Sequence, residues 1–286
     1  MDKHDKKVIV NADDFALSES VNRGILKGWQ DGIITSVSIM PCGQAFDHAV
    51  QTVKNNGMNC VGIHLVMDEE QPLTDPSKIP TLVNKDGHFL TRSEFLKALL
   101  FTKKINLNEV MLEFRTQVQK CFDAGLPITH IDGHGHIHTF PFIVDIIIDL
   151  AHQFGINKVR IPYERFSFTG KQFSFGKFTN KTIVSAFAMG CRKKYKKNGF
   201  LSPENFYGTS YGGRLDKKLL DDLLGRALPG TTTEIMTHPG YYSQDEMSNY
   251  NHWHYGWENE LSALISRKKV KAEDAFQFKL ISYQDI

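Results

Sequence analysis

A chain of 286 residues accommodates one large α/β domain or, at a stretch, two small ones. With 41% hydrophobic and 23% charged residues it can bury a full core, which argues against a disordered polypeptide. A formal net charge of +2 supplies no broad field for drawing in nucleic acid, so no nucleic-acid partner is expected. The charged N-terminus, MDKHDKKVIV, runs straight into an apolar stretch without the apolar region and cleavage site of a secretory signal. Val8-Ile9-Val10 reads as a buried strand. Glu19 to Asp31 reads as a helix with Ser18 as its N-cap and Gly32 as its stop. Thr35 to Met40 is a second strand, Gln44 to Asn55 a helix ending at Gly57, and Cys60 to Val66 a third strand. Leu107 to Ala124 is an amphipathic helix closed by Gly125 and Pro127, and Ile128 to Asp132 is the next strand. Phe142 to Phe154 is a helix ending at Gly155, followed by strands at Lys158 to Ile161, Glu234 to Thr237 and Phe276 to Ser282.

This alternation argues for parallel pairing and an α/β layer architecture. A β/α barrel and a doubly wound sheet both fit the pattern. Two segments interrupt it. Residues 68–91 are rich in Pro, Asp and Gly and read as a long loop. Residues 165–211 are basic and aromatic, and the run Arg192 to Lys197 reads as a surface helix with cations at its C-terminal end. The longest strongly apolar run, Phe142 to Ala151, is too short to cross a membrane and contains Asp145 and Asp149, so no membrane partner is expected. Cys42, Cys60, Cys121 and Cys191 are scattered and read as free thiols in a reducing compartment, making a cytoplasmic location the default.

Polar residues collect at the C-terminal ends of the predicted strands, the edge where α/β active sites form. Asp13 and Asp14 follow the first strand; a buried carboxylate there needs a cation, a pairing partner or hydrogen bonds, unless it caps the next helix. His64 lies between apolar neighbours on the third strand. His130, Asp132, His134, His136 and His138 follow at even spacing, which would put them on one face if the strand continued. Gly133 and Gly135 allow a bend or a close backbone approach. Imidazoles clustered with carboxylates are the usual way to hold a divalent ion. Arg160, at the end of another strand, reads either as a bidentate clamp on a carboxylate or as an ordinary ion pair. His238 follows the late strand at a Pro-Gly turn. The aromatics Tyr241, Tyr242, Tyr250, Trp253, Tyr255 and Trp257 come next and suit the apolar face of a sugar ring.

Six segments taken in order, NADDF, ITSVSIMPCGQAFDHAV, GIHL, THIDGHGHIHTFP, VRIPYE and MTHPGY, resemble the YdjC-like carbohydrate deacetylases, a group that includes chitooligosaccharide deacetylases. They run from residue 8 to residue 242, about four-fifths of the chain. The resemblance implies an irregular (β/α) barrel of the polysaccharide-deacetylase type, a single domain over 1–286 with insert-like segments at 68–91 and 165–211. It implies a hydrolase that removes acetyl groups from N-acetylated mono- or oligosaccharides with one divalent metal ion, magnesium or zinc. By the same likeness Asp13 is the base, Asp14, His64 and His134 are metal ligands, Arg160 holds the base, and His238 is the general acid. His136, His138 and Tyr241 are left as substrate contacts, with His136 or His138 alternatively completing the metal shell. Two departures stand out: Gly133 occupies a position where relatives carry Ser, and Ala16 one where they carry Gly. The alternatives are another metal-dependent hydrolase, of phosphoesterase or amidohydrolase type, and a non-catalytic sugar-binding module. A homodimer is left open.

Overall fold

The structure, a computed structural model, describes residues 6–102, 104–164 and 175–286. In chain order the elements are β1 (Lys7–Phe15), α1 (Glu19–Asp31), β2 (Ser36–Ile39), α2 (Phe46–Asn55), β3 (Val61–Leu65), α3 (Arg92–Lys97), α4 (Leu107–Asp123), β4 (Ile128–Gly133) and α5 (Val144–Gln153). They continue with α6 (Phe175–Lys197), β5 (Asn205–Tyr207), α7 (Lys217–Gly225), β6 (Thr232–Thr237), α8 (Gln244–Met247), α9 (Trp257–Ile265), α10 (Lys269–Phe276) and β7 (Lys279–Leu280).

Among the described residues the named strands pair in parallel, in the order β4-β3-β2-β1-β6-β5, with β7 paired to the first residues of β1. Val8, Val10 and Ala12 of β1 join the main apolar core, while Asn11 and Asp13, one residue out of phase, point to the opposite face. That alternation gives a sheet with an oily outer face and a polar inner one. The expected strand at 158–161 is reduced to two bridges, Val159 with Ile131 of β4 and Lys158 with Leu201. Pro162 lacks the N–H that a longer ladder would need. The bridges carry the β4 edge as far as Leu201, a few residues before β5, and the parallel sheet curls as an irregular (β/α) barrel.

Helix ends follow local chemistry. Ser18 accepts a hydrogen bond from the Val21 amide at the start of α1, Asn106 caps α4 through Asn108, and Asp216 caps α7 through Leu219. Because Ser18 does this work, neither Asp13 nor Asp14 is needed as a cap. The expected final strand over 276–282 is shortened to β7, since α10 runs to Phe276 and Gln277 leaves it in a left-handed conformation at φ 54°.

The loop over 68–91 is pinned by the buried face of α4. Glu113 accepts from the Leu73 and Thr74 amides at 3.1 and 2.9 Å, and Glu109 accepts from the Thr81 amide at 2.8 Å. Within segment 165–211, residues 165–174 lie outside the described residues, and most of the remainder forms α6. The basic run is a solvated helix end, with Lys194 paired to Asp145 at 2.5 Å. One residue of the run turns inward: Tyr195 is fully buried and donates to the His138 carbonyl at 2.7 Å. Among the described residues no helix is long and apolar enough to cross a membrane.

The inner face depends on close approach. A Cβ on Gly62 would stand 2.3 Å from Nε2 of His130, so only glycine lets that imidazole lie inside the barrel. His130 there stacks on Tyr283, from the chain's C-terminal segment, with ring centroids 3.6 Å apart.

Candidate active site

In a regular strand Asp13 and Asp14 would face opposite ways. Here three steps of β1, from Ala12 to Phe15, match two steps of β2, from Val37 to Ile39, and Asp14 sits at φ 61°. This bulge turns both carboxylates toward the mouth of the barrel. Asp tolerates the left-handed region better than most side chains. Ala16, at φ 85°, shares the strain. Relative to glycine, Ala at such a φ is destabilising, and nothing in the structure explains why Ala stands where glycine would be expected.

Asp14, His64 and His134 each offer one ligand atom, all within 4.8 Å of one another, and this buried group can hold a metal ion. His134 Nδ1 is 3.1 Å and His64 Nε2 3.5 Å from Asp14 Oδ1. Asp14 Oδ2 is buried and has no hydrogen-bond partner, so the carboxylate has coordinating capacity to spare. His64 bonds through Nδ1 to Asp132 Oδ1 at 2.7 Å, which directs Nε2 toward Asp14, the carboxylate-histidine arrangement that orients metal ligands. Burial opposes ionisation of Asp14, but His134 and His64 outweigh it and hold its carboxyl well below the usual range. Burial likewise opposes a charge on His64, yet Asp132 and Asp13 beside it, with its bonds to Asp132 and Asp14, push its pKa up to about 10. A field that stabilises a proton so firmly favours a divalent cation in the same place.

Arg160 is fully buried and grips carboxylates from three strands. Its Nη1 and Nη2 meet the two oxygens of Asp13 at 2.6 and 2.7 Å. Nη1 also lies 3.0 Å from Asp132 Oδ2, and Nε donates to Glu234 Oε1 at 2.9 Å. Ser38 donates to Asp132 at 2.7 Å and Tyr283 to Glu234 at 2.7 Å, completing the network. Of the two readings open for Arg160, the structure therefore shows the bidentate clamp.

His238 follows β6 and is 4% exposed. Its amide donates to Glu260 Oε2 at 2.5 Å, its Nδ1 is buried without a hydrogen-bond partner, and its ring rests on Tyr255 at 4.7 Å. Asp13, His64, His134 and His238 all line one cavity of about 330 Å³. Arg92, Phe95 and Leu96 of α3, Thr209, Trp253 and Tyr255 line it as well.

The histidine-rich run does not keep one face. Strand β4 ends at Gly133, and Gly135 and His136 adopt φ 56° and 62°. His130 stays deep, His134 and His136 line the cavity, and His138 turns back to the Arg160 carbonyl at 3.0 Å. His136 Nδ1 is buried and unpartnered. His138 is not among the cavity-lining residues, and neither is Tyr241, which is 39% exposed and whose amide donates to Ser20 of α1. Gly133 leaves a neighbour without a bond: a Cβ there would lie 3.3 Å from His138 Nδ1, which has no partner.

Burial pushes the pKa of His130 down to about 3, against the pull of Asp132 and with the help of Arg160. Between that value and the ordinary 6.5, the unfolded chain takes up a proton that the folded chain refuses. Stability is therefore fully present above pH 6.5 and declines as pH falls below it. Urea unfolding from pH 7 to 5 is expected to show this slope, and His130→Gln to remove up to about 1.4 kcal/mol per pH unit of it. An unchanged slope in the variant would show that His130 is not the group responsible.

Residues 7–272 match the family model described as YdjC-like protein. The chain belongs to the YdjC-like family. A carbohydrate deacetylase of Clostridium beijerinckii is 28% identical over 280 residues, covering 98% of this chain and 100% of the relative. Another, from Thermoanaerobacter pseudethanolicus, is 30% identical over 274 residues, covering 96% and 94%. Among solved structures, an Enterococcus faecalis V583 protein named as a candidate for cellobiose-phosphate cleavage superposes with TM-score 0.73 at 21% identity, covering 98% of both chains. That likeness bears on the fold, and it agrees with a YdjC-like barrel assembled from parallel strands.

Proposed function

We propose that this YdjC-like chain hydrolyses the acetamide of N-acetylated mono- or oligosaccharides with one divalent cation held by Asp14, His64 and His134. That it is an enzyme, a carbohydrate deacetylase, follows from its family and from the name its relatives share. The observation that supports the metal-dependent reading is the convergence of three ligand atoms, with an orphaned Asp14 oxygen, beside the Asp13-Arg160 pair in a single cavity.

Two imidazoles and one carboxylate form a donor set that favours zinc or another transition ion over magnesium. Such a cation, when bound, supplies Lewis acidity toward the acetyl carbonyl and lowers the pKa of water. Asp13 accepts the proton of the attacking water as its oxygen bonds to the acetyl carbon. Arg160 keeps Asp13 anionic and fixed in orientation through two parallel hydrogen bonds. His238 delivers a proton to the amide nitrogen as the C–N bond breaks, giving acetate and a free amino sugar, a transfer worth about 10²–10⁴-fold. In this reading His136 and the aromatic side chains of Trp253 and Tyr255 contact the sugar and exclude water; that all three line the cavity supports it. The free state of all four cysteines supports a reducing, cytoplasmic location.

An acetate-release screen over N-acetylglucosamine and its short oligomers tests this reading, with p-nitrophenyl phosphate as the competing substrate. Acetate is expected from at least one sugar, with loss of release in EDTA and recovery on adding zinc. Release undiminished by EDTA, or turnover of the phosphate ester alone, would overturn it.

A further inference from the structure

Three consecutive acidic residues follow the end of β3; the first bonds the cavity-lining Arg92, and the other two bond the 250–253 segment. Asp68 accepts from Arg92 Nε at 2.5 Å. Glu69 Oε2 accepts from the indole N–H of Trp253 at 2.7 Å and lies 3.2 Å from His252 Nε2. Glu70 Oε1 accepts from the Tyr250 hydroxyl at 2.7 Å. Glu69 is held at φ 65°, a strained conformation for a residue with a Cβ. A strained residue that persists needs surroundings that over-determine it, and the bonds to 250–253 provide them. Trp253 in turn packs on the His134 ring, centroids 4.9 Å apart, and lies 5.5 Å from Tyr255 and 4.9 Å from Tyr250. It is a cavity-lining residue.

We infer that Glu69 is a positioning residue for sugar binding: by bonding Trp253 it fixes the aromatic surface on which a sugar ring stacks. This rests on the deacetylase reading for the substrate class, but the contact concerns binding and not bond cleavage. Glu69 touches none of the reacting groups. Without its carboxylate Trp253 and His252 lose their tie to the loop after β3, and only the bond from Tyr250 to Glu70 remains. The indole then samples orientations that do not offer a face to the ligand, and binding weakens while proton transfer at Asp13 and His238 is unaltered. The side chain at 69 is 24% exposed, so its bond is moderate in strength and the effect is one of affinity.

The test uses the full chain and two measurements. Calorimetry with chitobiose, the fully deacetylated disaccharide, reads binding without turnover. Acetate release from N,N′-diacetylchitobiose reads KM and kcat. Glu69→Ala is expected to weaken chitobiose binding and raise KM by about tenfold, with kcat within about twofold of the parent. Glu69→Gln keeps an acceptor oxygen and is expected to recover most of the loss. Glu69→Asp, which keeps the charge but shortens the reach to the indole N–H, decides the matter if Glu69→Ala does not fold; it should raise KM in the same direction. Unchanged binding in these variants, or a kcat loss at constant KM, would overturn the inference, as would a parent chain that binds no chitobiose. A parent that binds chitobiose but releases no acetate would instead count against the deacetylase reading alone.

Discussion

Asp13→Asn is expected to lower acetate release by about 10²–10⁴-fold, the range typical of a lost general base, while zinc still binds because all three proposed ligands remain. Asp13 and Asp14 are neighbours in sequence but differ in partners. Asp14 faces His64 and His134, whereas both Asp13 oxygens are engaged by Arg160 and one also accepts from Asn11 at 2.8 Å. The substitution therefore removes the proton acceptor and one negative charge from beside His64, while Asp14, His64 and His134 all stay in place. It also presents an amide NH₂ to the guanidinium, which should cost about 1–3 kcal/mol of stability. Turnover and calorimetric metal binding should be compared well below the unfolding transition. Turnover within tenfold of the parent would refute the base assignment.

Arg160→Met is expected to destabilise the fold by about 3–5 kcal/mol, among the larger single-residue effects in the chain. The side chain is fully buried, and its removal strands Asp13 and Glu234 without a countercharge and leaves Asp132 only His64. Burial already raises the pKa of Glu234 against the pull of Arg160, so this carboxyl takes up a proton most readily when the cation is lost. Lysine is a poor substitute because one ammonium cannot reproduce a fork that meets three strands. Urea unfolding measures the effect. A loss below about 1 kcal/mol would mean that the buried network reorganises freely.

Much of this architecture can be read from the residues alone. Strands β1, β2, β3, β4 and β6 stand out as short apolar runs, and α1 and α4 carry their own caps and stops. The candidate ligands and proton-transfer groups are visible because each follows such a run. What could not be read depends on tertiary position. The bulge at Asp14 and the left-handed backbone at His136 are single dihedral events that no periodicity announces. They explain why adjacent aspartates converge and why evenly spaced histidines diverge. Tyr283, Glu260 and Ser38 have no local signal; they matter through partners far away in the chain. Arg92 and the acidic residues 68–70 lie in or beside a segment that reads only as a long loop, because the α4 carboxylates that pin it are invisible until the helix is packed.

Titration of zinc into EDTA-stripped protein by calorimetry, for the parent and for Asp14→Asn, His64→Ala and His134→Ala, probes the ligand group directly. The expected result is a single tight site in the parent, with affinity lower by about 100-fold or more in each variant because every one removes a direct ligand. Parent-level zinc affinity in all three variants would place the cation elsewhere and contradict the account.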